Sequence, residues 1–363
     1  MPDPRVYNEA RALIKAGCNV TLLCWDRGEG KPAQENIDGI NVKRVFVKST
    51  HARGASQIRF LRKFWDKAQE EAKNIKFDII HAHDFDTLPL GYKLAKKYKK
   101  KIIFDSHEIY SSIIKVNALV KSGVYFLEDY YAKRVDCIFI TCPQMKQRYK
   151  KAKYIEVIGN YRDPKDFEFT HDIISREKEK LGIKNQIVIS YVANLGRERI
   201  IEPLLNVVKD DKSFFLLIGG EGIQAKSVEE YSNKYQNIKY LGFVKADKVP
   251  LYTALGDIIY YGYDSRIPMS RYASPNKLFE AIAAGKALLC ANIGELGQIV
   301  REEDCGIALD VMDENTIKAA LEEFKKPERL DYFKKRAIEA SKKYNWQDAE
   351  KRILDTYRKL LEN

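Results

Sequence analysis

The sequence predicts an α/β protein of two domains, each a parallel sheet with crossover helices. Three observations carry that expectation. Short apolar runs alternate with amphipathic runs along nearly the whole chain, the pattern of repeated βαβ units. The apolar runs fall into two series. The first lies at 19–24, 41–47, 77–81, 101–105, 136–141 and 154–158, the second at 187–193, 213–218, 238–241, 257–261 and 286–290. Between the series, the polar stretch NYRDPKDFEFTHD (160–172) reads as a linker. The expected domains are therefore 1–162 and 173–345, with a terminal amphipathic helix over 346–363 returning to the first.

In chain order, MPDPRVYNEARAL opens a helix. Asp3 is placed to cap it, Pro4 suits its first position, and Val6, Ala10, Leu13 and Ile14 recur at helical spacing. Gly17 reads as the stop, and NVTLLCW (19–25) as a buried strand. In the second half, YASPNKLFEAIAAGKALLC (272–290) predicts a helix capped by Ser274, with Pro275 at its first position and Gly285 as its stop. The first N–H groups of such a helix, with the positive end of its dipole, form an anion site. Asn276, Lys277 and Glu280 are spaced to crowd one side of that end. A carboxylate there disfavours a phosphate but accepts hydrogen bonds from a vicinal diol such as a ribose, so the arrangement suits a nucleotide. The plain alternative is a well-capped surface helix with a solvated Glu.

Parallel sheets bind ligands at the C-terminal ends of their strands. FFLLIGGEG (214–222) ends a strand in Gly219 and Gly220, where a ligand can approach the backbone. YVANLGRERI (191–200) places Arg197 and Arg199 after a strand, where guanidinium groups can grip a diphosphate. LGFV (241–244), with Phe243, offers backbone edges to a base. Each has a bland alternative, an ordinary turn or a solvated arginine.

The chain has 363 residues and a net charge of +12. The excess suits an anionic partner: nucleic acid, an acidic membrane surface or a phosphorylated substrate. Nucleic acid is not expected, because no recognised module is present and the aromatics do not interleave with the basic run. QIRFLRKFWDKAQEEAKN (57–74) combines Ile58, Phe60, Leu61, Phe64 and Trp65 with Arg59, Arg62, Lys63 and Lys67, and KLAKKYKKK (93–101) adds six lysines. The first segment suits either an anionic membrane or, slightly better, an ordinary helix covering the sheet. No apolar run is long enough to span a bilayer. The six cysteines lack metal-ligand spacing and read as free thiols in a reducing cytosol.

The combination resembles the GT-B glycosyltransferases of family 4, the retaining nucleotide-sugar transferases. The matching pieces are DPRVYNEARALIKAGCNVTLL, DIIHAHDFDTL, IIFDSHEIY, LGFV, SPNKLFEAIAAGKALL and CGIALD. They span essentially the whole chain, and SPNKLFE is the most specific.

The resemblance implies two Rossmann-like domains facing a cleft, the second holding the nucleoside diphosphate. Glu280 corresponds to the ribose-binding Glu, and the helix start from Ser274 through Pro275, Asn276 and Lys277 to Leu278 meets the phosphates. The usual Gly-Arg after the first strand is replaced by Ala193-Asn194, and Arg197 and Arg199 are the candidates to substitute. Tyr272 stands at the first position of the family's Glu-x7-Glu pair, which leaves sugar recognition open. His107, in FDSHE, corresponds to a His at the donor sugar and acceptor. His83 and Asp84, at another strand end, fall on the acceptor side. Asp84-Phe85-Asp86 imitates a metal-binding DxD motif of a different fold, and that reading is rejected: no metal or cofactor is expected.

The implied reaction moves a sugar from a UDP- or GDP-sugar to a hydroxyl of a glycan or lipid-linked acceptor. Configuration is retained, by front-side attack aided by the leaving phosphate. The implied location is cytoplasmic, with a peripheral contact at the inner face of an anionic membrane. The alternatives are a catalytically silent nucleotide-binding subunit and a sugar-nucleotide epimerase. The family also starts with an apolar strand ahead of the segment matching DPRVYNEARAL. That first strand is expected to be missing here, so an upstream-extended chain is expected to be more stable.

Overall fold

The computed structural model describes residues 3–28, 30–49, 57–114 and 116–362. The chain divides into two compact units. One comprises Met1–Gly159 with Ala349–Asn363, the other Asn160–Asp348.

The first unit opens with α1 (Pro4–Lys15). The Asp3 side chain accepts from the Arg5 and Val6 amides, and Pro4 sits in the first turn, as expected. Gly17, at φ +85°, closes the helix. Its amide bonds the Ile14 carbonyl at 2.9 Å and the Cys18 amide bonds that of Leu13 at 3.0 Å, the paired ending only a left-handed residue permits. The strands are β1 (Thr21–Asp26), β2 (Gln34–Ile37), β3 (Ile40–Phe46), β4 (Ile79–His83), β5 (Lys101–Ser106), β6 (Cys137–Ile140) and β7 (Ile155–Val157). The helices are α2 (Gln57–Ala72), α3 (Asp84–Tyr98), α4 (Tyr110–Ile113) and α5 (Ala118–Ala132). Among the described residues, the strands form two sheets, ordered β1-β3-β2 and β4-β5-β6-β7. All pairs are parallel except the β2–β3 hairpin. The expectation that a first strand is missing ahead of Asp3 falls outside the described residues.

Of the two readings of the segment 57–74, the structure supports the helix that covers the sheet. Phe64 of α2 is buried in a core with Val45, Val47, Leu90 and Leu94 and stacks on Trp25 at 5.4 Å. The Trp65 indole donates to the Asp86 carbonyl at 2.8 Å. The apolar face of α2 is therefore spent on the sheet, which is what its helical periodicity serves.

The second unit contains β8 (Ile187–Val192), β9 (Phe214–Gly219), β10 (Ile238–Tyr240), β11 (Ile258–Tyr261), β12 (Ala287–Ala291) and β13 (Gly306–Leu309). Its helices are α6 (His171–Leu181), α7 (Glu202–Asp210), α8 (Ala225–Lys234), α9 (Val249–Leu255), α10 (Asn276–Ala283), α11 (Gly294–Glu302), α12 (Glu314–Phe324) and α13 (Pro327–Ser341). The sheet is wholly parallel, ordered β10-β9-β8-β11-β12-β13. Its central strands are buried along nearly their whole length, as helices on both faces require. The stretch 160–172 is not an open tether. Tyr161 and Phe167 are buried, and Tyr161 meets the Phe279 ring edge-on at 4.9 Å. These two aromatics anchor a segment whose other residues gave it a polar look.

Candidate active site

In the second unit the chain leaves the sheet centre in both directions. From β8 it runs to β9 and β10 on one side, and from β11 to β12 and β13 on the other. Loops leaving the C-terminal ends of β8 and β11 therefore flank a topological switch point, where open α/β sheets bind ligands. The loop after β8 carries Arg197 and Arg199, and the loop after β11 runs into α10. Backbone bonds tie the two loops together, from Ile200 to Gly262 at 3.3 Å and from Asp264 to Glu198 at 2.9 Å.

The expected cap of α10 is corrected. Pro275, at φ −73° and ψ 144°, is the cap residue, and no side chain caps the helix. Ser274 instead donates its hydroxyl to Glu295 at 2.5 Å, while its carbonyl accepts from Asn160 at 3.1 Å. With proline as the cap residue, no side chain competes for the first N–H groups of α10, at Asn276 and Lys277. The predicted stop is observed: Gly285, at φ +62°, ends the helix. Leu278 is fully buried and anchors the first turn.

Glu280 is 6% exposed and Lys277 8%. The Lys277 ammonium is hydrogen-bonded to one Glu280 oxygen, and Arg162 approaches the other at 3.7 Å. Two cations thus hold the carboxylate one turn inside the helix start. Burial pushes the Glu295 carboxyl up to about 7, against the pull of the Ser274 hydroxyl.

The two arginines separate. Arg199 lies over the rings of Tyr261 and Tyr263, at 4.6 and 4.8 Å, and donates to the Tyr261 hydroxyl. Arg197 is exposed. The glycines serve packing. A Cβ on Gly220 would strike the Ala193 carbonyl, and one on Gly219 would strike Val244. At Gly220 the close neighbour is backbone, and at Gly219 it is a side chain. Phe243 presents its ring 66% exposed. Tyr272 ends a short 3₁₀ turn, Pro268–Tyr272, with Arg271 over its ring at 4.8 Å.

In the first unit a second cluster gathers at the C-terminal ends of β4 and β5. Arg5 binds Asp105 with two hydrogen bonds of 2.8 Å, lies 3.2 Å from Glu9, and donates to the Ile158 carbonyl at 2.7 Å. His107 sits between two carboxylates, Nε2 3.1 Å from Asp105 and Nδ1 3.4 Å from Asp84. Asp84 starts α3 in the left-handed region, at φ +61°, which an Asp tolerates better than most residues. His83 Nδ1 is 3.2 Å from Asp105, and its ring stacks on His81 at 4.3 Å. His81 bonds the Tyr357 hydroxyl at 2.9 Å.

These groups set one another's charge. Burial alone would lower the His107 imidazole, but Asp105 and Asp84 outweigh it and raise it to about 9. Burial lowers His83, with Asp105 only partly opposing. Burial would raise Asp105, yet Arg5 and His107 hold it well below the usual carboxylate range. Burial pushes Asp84 up to about 7, His107 pulling the other way. Burial and Asp105 together keep the Glu9 carboxyl well above its ordinary value. At neutral pH the cluster holds an imidazolium at His107, a neutral imidazole at His83 and an anion at Asp105. Glu9, His81, His83 and Asp105 bring ligand atoms within 4.8 Å of one another. A metal ion there would compete with Arg5, which is already bound to Asp105 and beside Glu9.

Sequence reasoning found His107, His83 and Asp84 but missed Arg5, Glu9, Asp105, Arg162 and Glu295. Arg5 and Glu9 lie i, i+4 on α1, a spacing visible in DPRVYNEA; their partner, one hundred residues on, is not.

Two family models cover most of the chain: Glycosyltransferase Family 4 matches residues 5–166 and Glycosyl transferases group 1 matches residues 174–344. An uncharacterized glycosyltransferase of Methanocaldococcus jannaschii is 24% identical over 325 residues, 82% of this chain and 78% of that protein. Sucrose-phosphate synthase of Thermosynechococcus elongatus superposes with a TM-score of 0.82 at 18% identity, over 99% of this chain and 93% of the other. Anabaena HepE, solved in complex with UDP-glucose, gives 0.69 at 16% identity, over 89% and 87%. Fold and matched models together define a GT-B glycosyltransferase. Within that class, the chain belongs to glycosyltransferase family 4.

Proposed function

We propose that the protein transfers a sugar from a UDP- or GDP-sugar to a hydroxyl of a glycan or lipid-linked acceptor, with retention of configuration. One observation carries the donor half: an uncapped helix start at the sheet's switch point, with an ion-held carboxylate one turn inside it. In this reading the N–H groups at Asn276 and Lys277 receive the diphosphate, and the exposed Arg197 adds charge to it. Glu280 accepts hydrogen bonds from the ribose hydroxyls, and Phe243 stacks on the base. A solved neighbour's complex with UDP-glucose supports a donor of this class.

For the acceptor half, His107 carries a positive charge suited to stabilising a developing oxyanion or to orienting the acceptor. Neutral His83 and Asp84 bind the acceptor hydroxyl. Asp84, with a carboxyl near 7, is suited to exchange a proton at neutral pH. The test is turnover with a panel of UDP- and GDP-sugars, measured with and without a hydroxyl acceptor. Sugar transfer that follows one donor and keeps its anomeric configuration is expected. An inverted product, or consumption of the donor with no need of an acceptor, overturns the reading.

A further inference from the structure

His107 lies on the stretch 106–111, which leads from the end of β5 into α4. Both ends of this stretch are tied to one side chain, the fully buried Glu128 of α5. After His107, the Ser111 hydroxyl donates to Glu128 Oε2 at 2.9 Å. Before His107, the tie has two links. The Tyr149 hydroxyl donates to Glu128 Oε1 at 2.9 Å and lies 2.8 Å from the Ser106 hydroxyl. Ser106, Ser111 and Tyr149 are themselves buried. Between the ties, the His107 carbonyl accepts from the Thr141 hydroxyl, just past β6, at 3.2 Å.

A carboxylate only accepts hydrogen bonds, and that orders the network. Burial and the Glu128 charge push the Tyr149 hydroxyl well above its ordinary range, so it stays a donor. Its one proton goes to Glu128, and Ser106 therefore donates to Tyr149. Arg148, its side chain 4% exposed, meets the Glu128 charge at 3.2 Å. A buried ion pair of this kind gives little net stability over apolar residues of the same volume. What it adds is direction, because each bond holds one hydroxyl in one place. The His107 ring needs that hold. It sits 3.1 Å from Asp105 and 3.4 Å from Asp84, and a displacement of about 1 Å would break either contact.

We infer that Glu128 is a positioning residue, which sets the place of His107 by holding Ser106 on one side of it and Ser111 on the other. Glu128 acts through His107, so its effect on turnover rests on the role proposed for His107. Its effect on the place of the ring does not, and is read without any substrate.

The test joins nitrogen NMR spectra of the histidine rings in the full chain to turnover with the panel of UDP- and GDP-sugars and a hydroxyl acceptor. His107 is assigned as the signal lost in His107→Gln, and His171, exposed in the second unit, is the reference that should not move. Tyr149→Phe/Ser111→Ala cuts both ties and leaves the Glu128–Arg148 pair in place. It should move the His107 ring signals toward those of an imidazole free of carboxylates. It should also lower kcat about 100-fold while the donor KM is unchanged. Tyr149→Phe and Ser111→Ala alone should each fall between this variant and wild type, and they carry the same test if the double variant does not fold. Glu128→Gln, which keeps one acceptor oxygen, should also be intermediate. His107 signals that stay in place when both ties are cut overturn the inference, whatever the turnover or melting temperature, and leave Glu128 a packing role alone. Signals that move while kcat holds uphold the positioning and overturn instead the proposed role of His107.

Discussion

The two candidate sites are built on opposite principles. In the second unit the charge is supplied by the backbone: α10 offers N–H groups and a dipole, and a local Lys277–Glu280 pair sits one turn behind. In the first unit the charge is supplied by buried side chains from α1, β4, β5 and the C-terminal helix, each fixing the protonation of the next. The backbone site suits a ligand of fixed charge such as a diphosphate. The side-chain site suits a step in which charge moves. The first tolerates loss of one side chain structurally and fails in binding. The second is coupled to folding itself.

Substitutions should separate the two in that sense. The largest expected effect is on Arg5→Leu, which leaves Asp105 buried without its main cation. A loss of about 3–5 kcal/mol of stability is expected in chemical denaturation, against little change for a substitution at exposed Arg197. Glu280→Ala should lower turnover by about 100-fold, through lost charged hydrogen bonds to the nucleotide. His107→Gln should cost about 10²-fold in turnover or more, while nucleotide affinity stays unchanged; a matching loss of affinity would erase the distinction between the two sites. Phe243→Ala should weaken nucleotide binding by about three- to tenfold, the scale of one stacking contact, with turnover at saturating donor preserved.

The pH dependence sharpens the same contrast. The His107 imidazole is raised from about 6.5 when unfolded to about 9 in the native cluster. Its contribution to stability is therefore fully present below about 6.5 and is lost as pH rises through about 9. Stability should decline across that window, and His107→Gln should flatten the decline. Donor binding in the second unit should show no matching change.

Much of the site in the second unit was legible because it is local. Ser274 to Gly285 is one helix with its start and stop in a dozen residues, and the spacing of Lys277 and Glu280 placed them together. The error there was equally local: with Pro275 able to occupy either the cap or the first helical position, Ser274 was assigned the cap, while its actual partner, Glu295, lies twenty-one residues away. The first cluster was legible only in part. His83 and His107 stand at strand ends that periodicity reveals. Arg5 and Asp105 meet only through the tertiary fold, one hundred residues apart, and no periodicity encodes that. Most of the parallel strands were found because buried strands read as continuous apolar runs. β2 and β13 were missed; neither holds a single buried residue.

The central claim is that the uncapped start of α10 and Glu280 hold a nucleoside diphosphate. Calorimetric titration of UDP and GDP into the wild type, Glu280→Ala and His107→Gln tests it most directly. Binding of one of the two diphosphates to wild type and His107→Gln alike, weakened about 100-fold in Glu280→Ala, is the predicted result. Equal affinity in Glu280→Ala and wild type would contradict the claim and move the nucleotide away from α10.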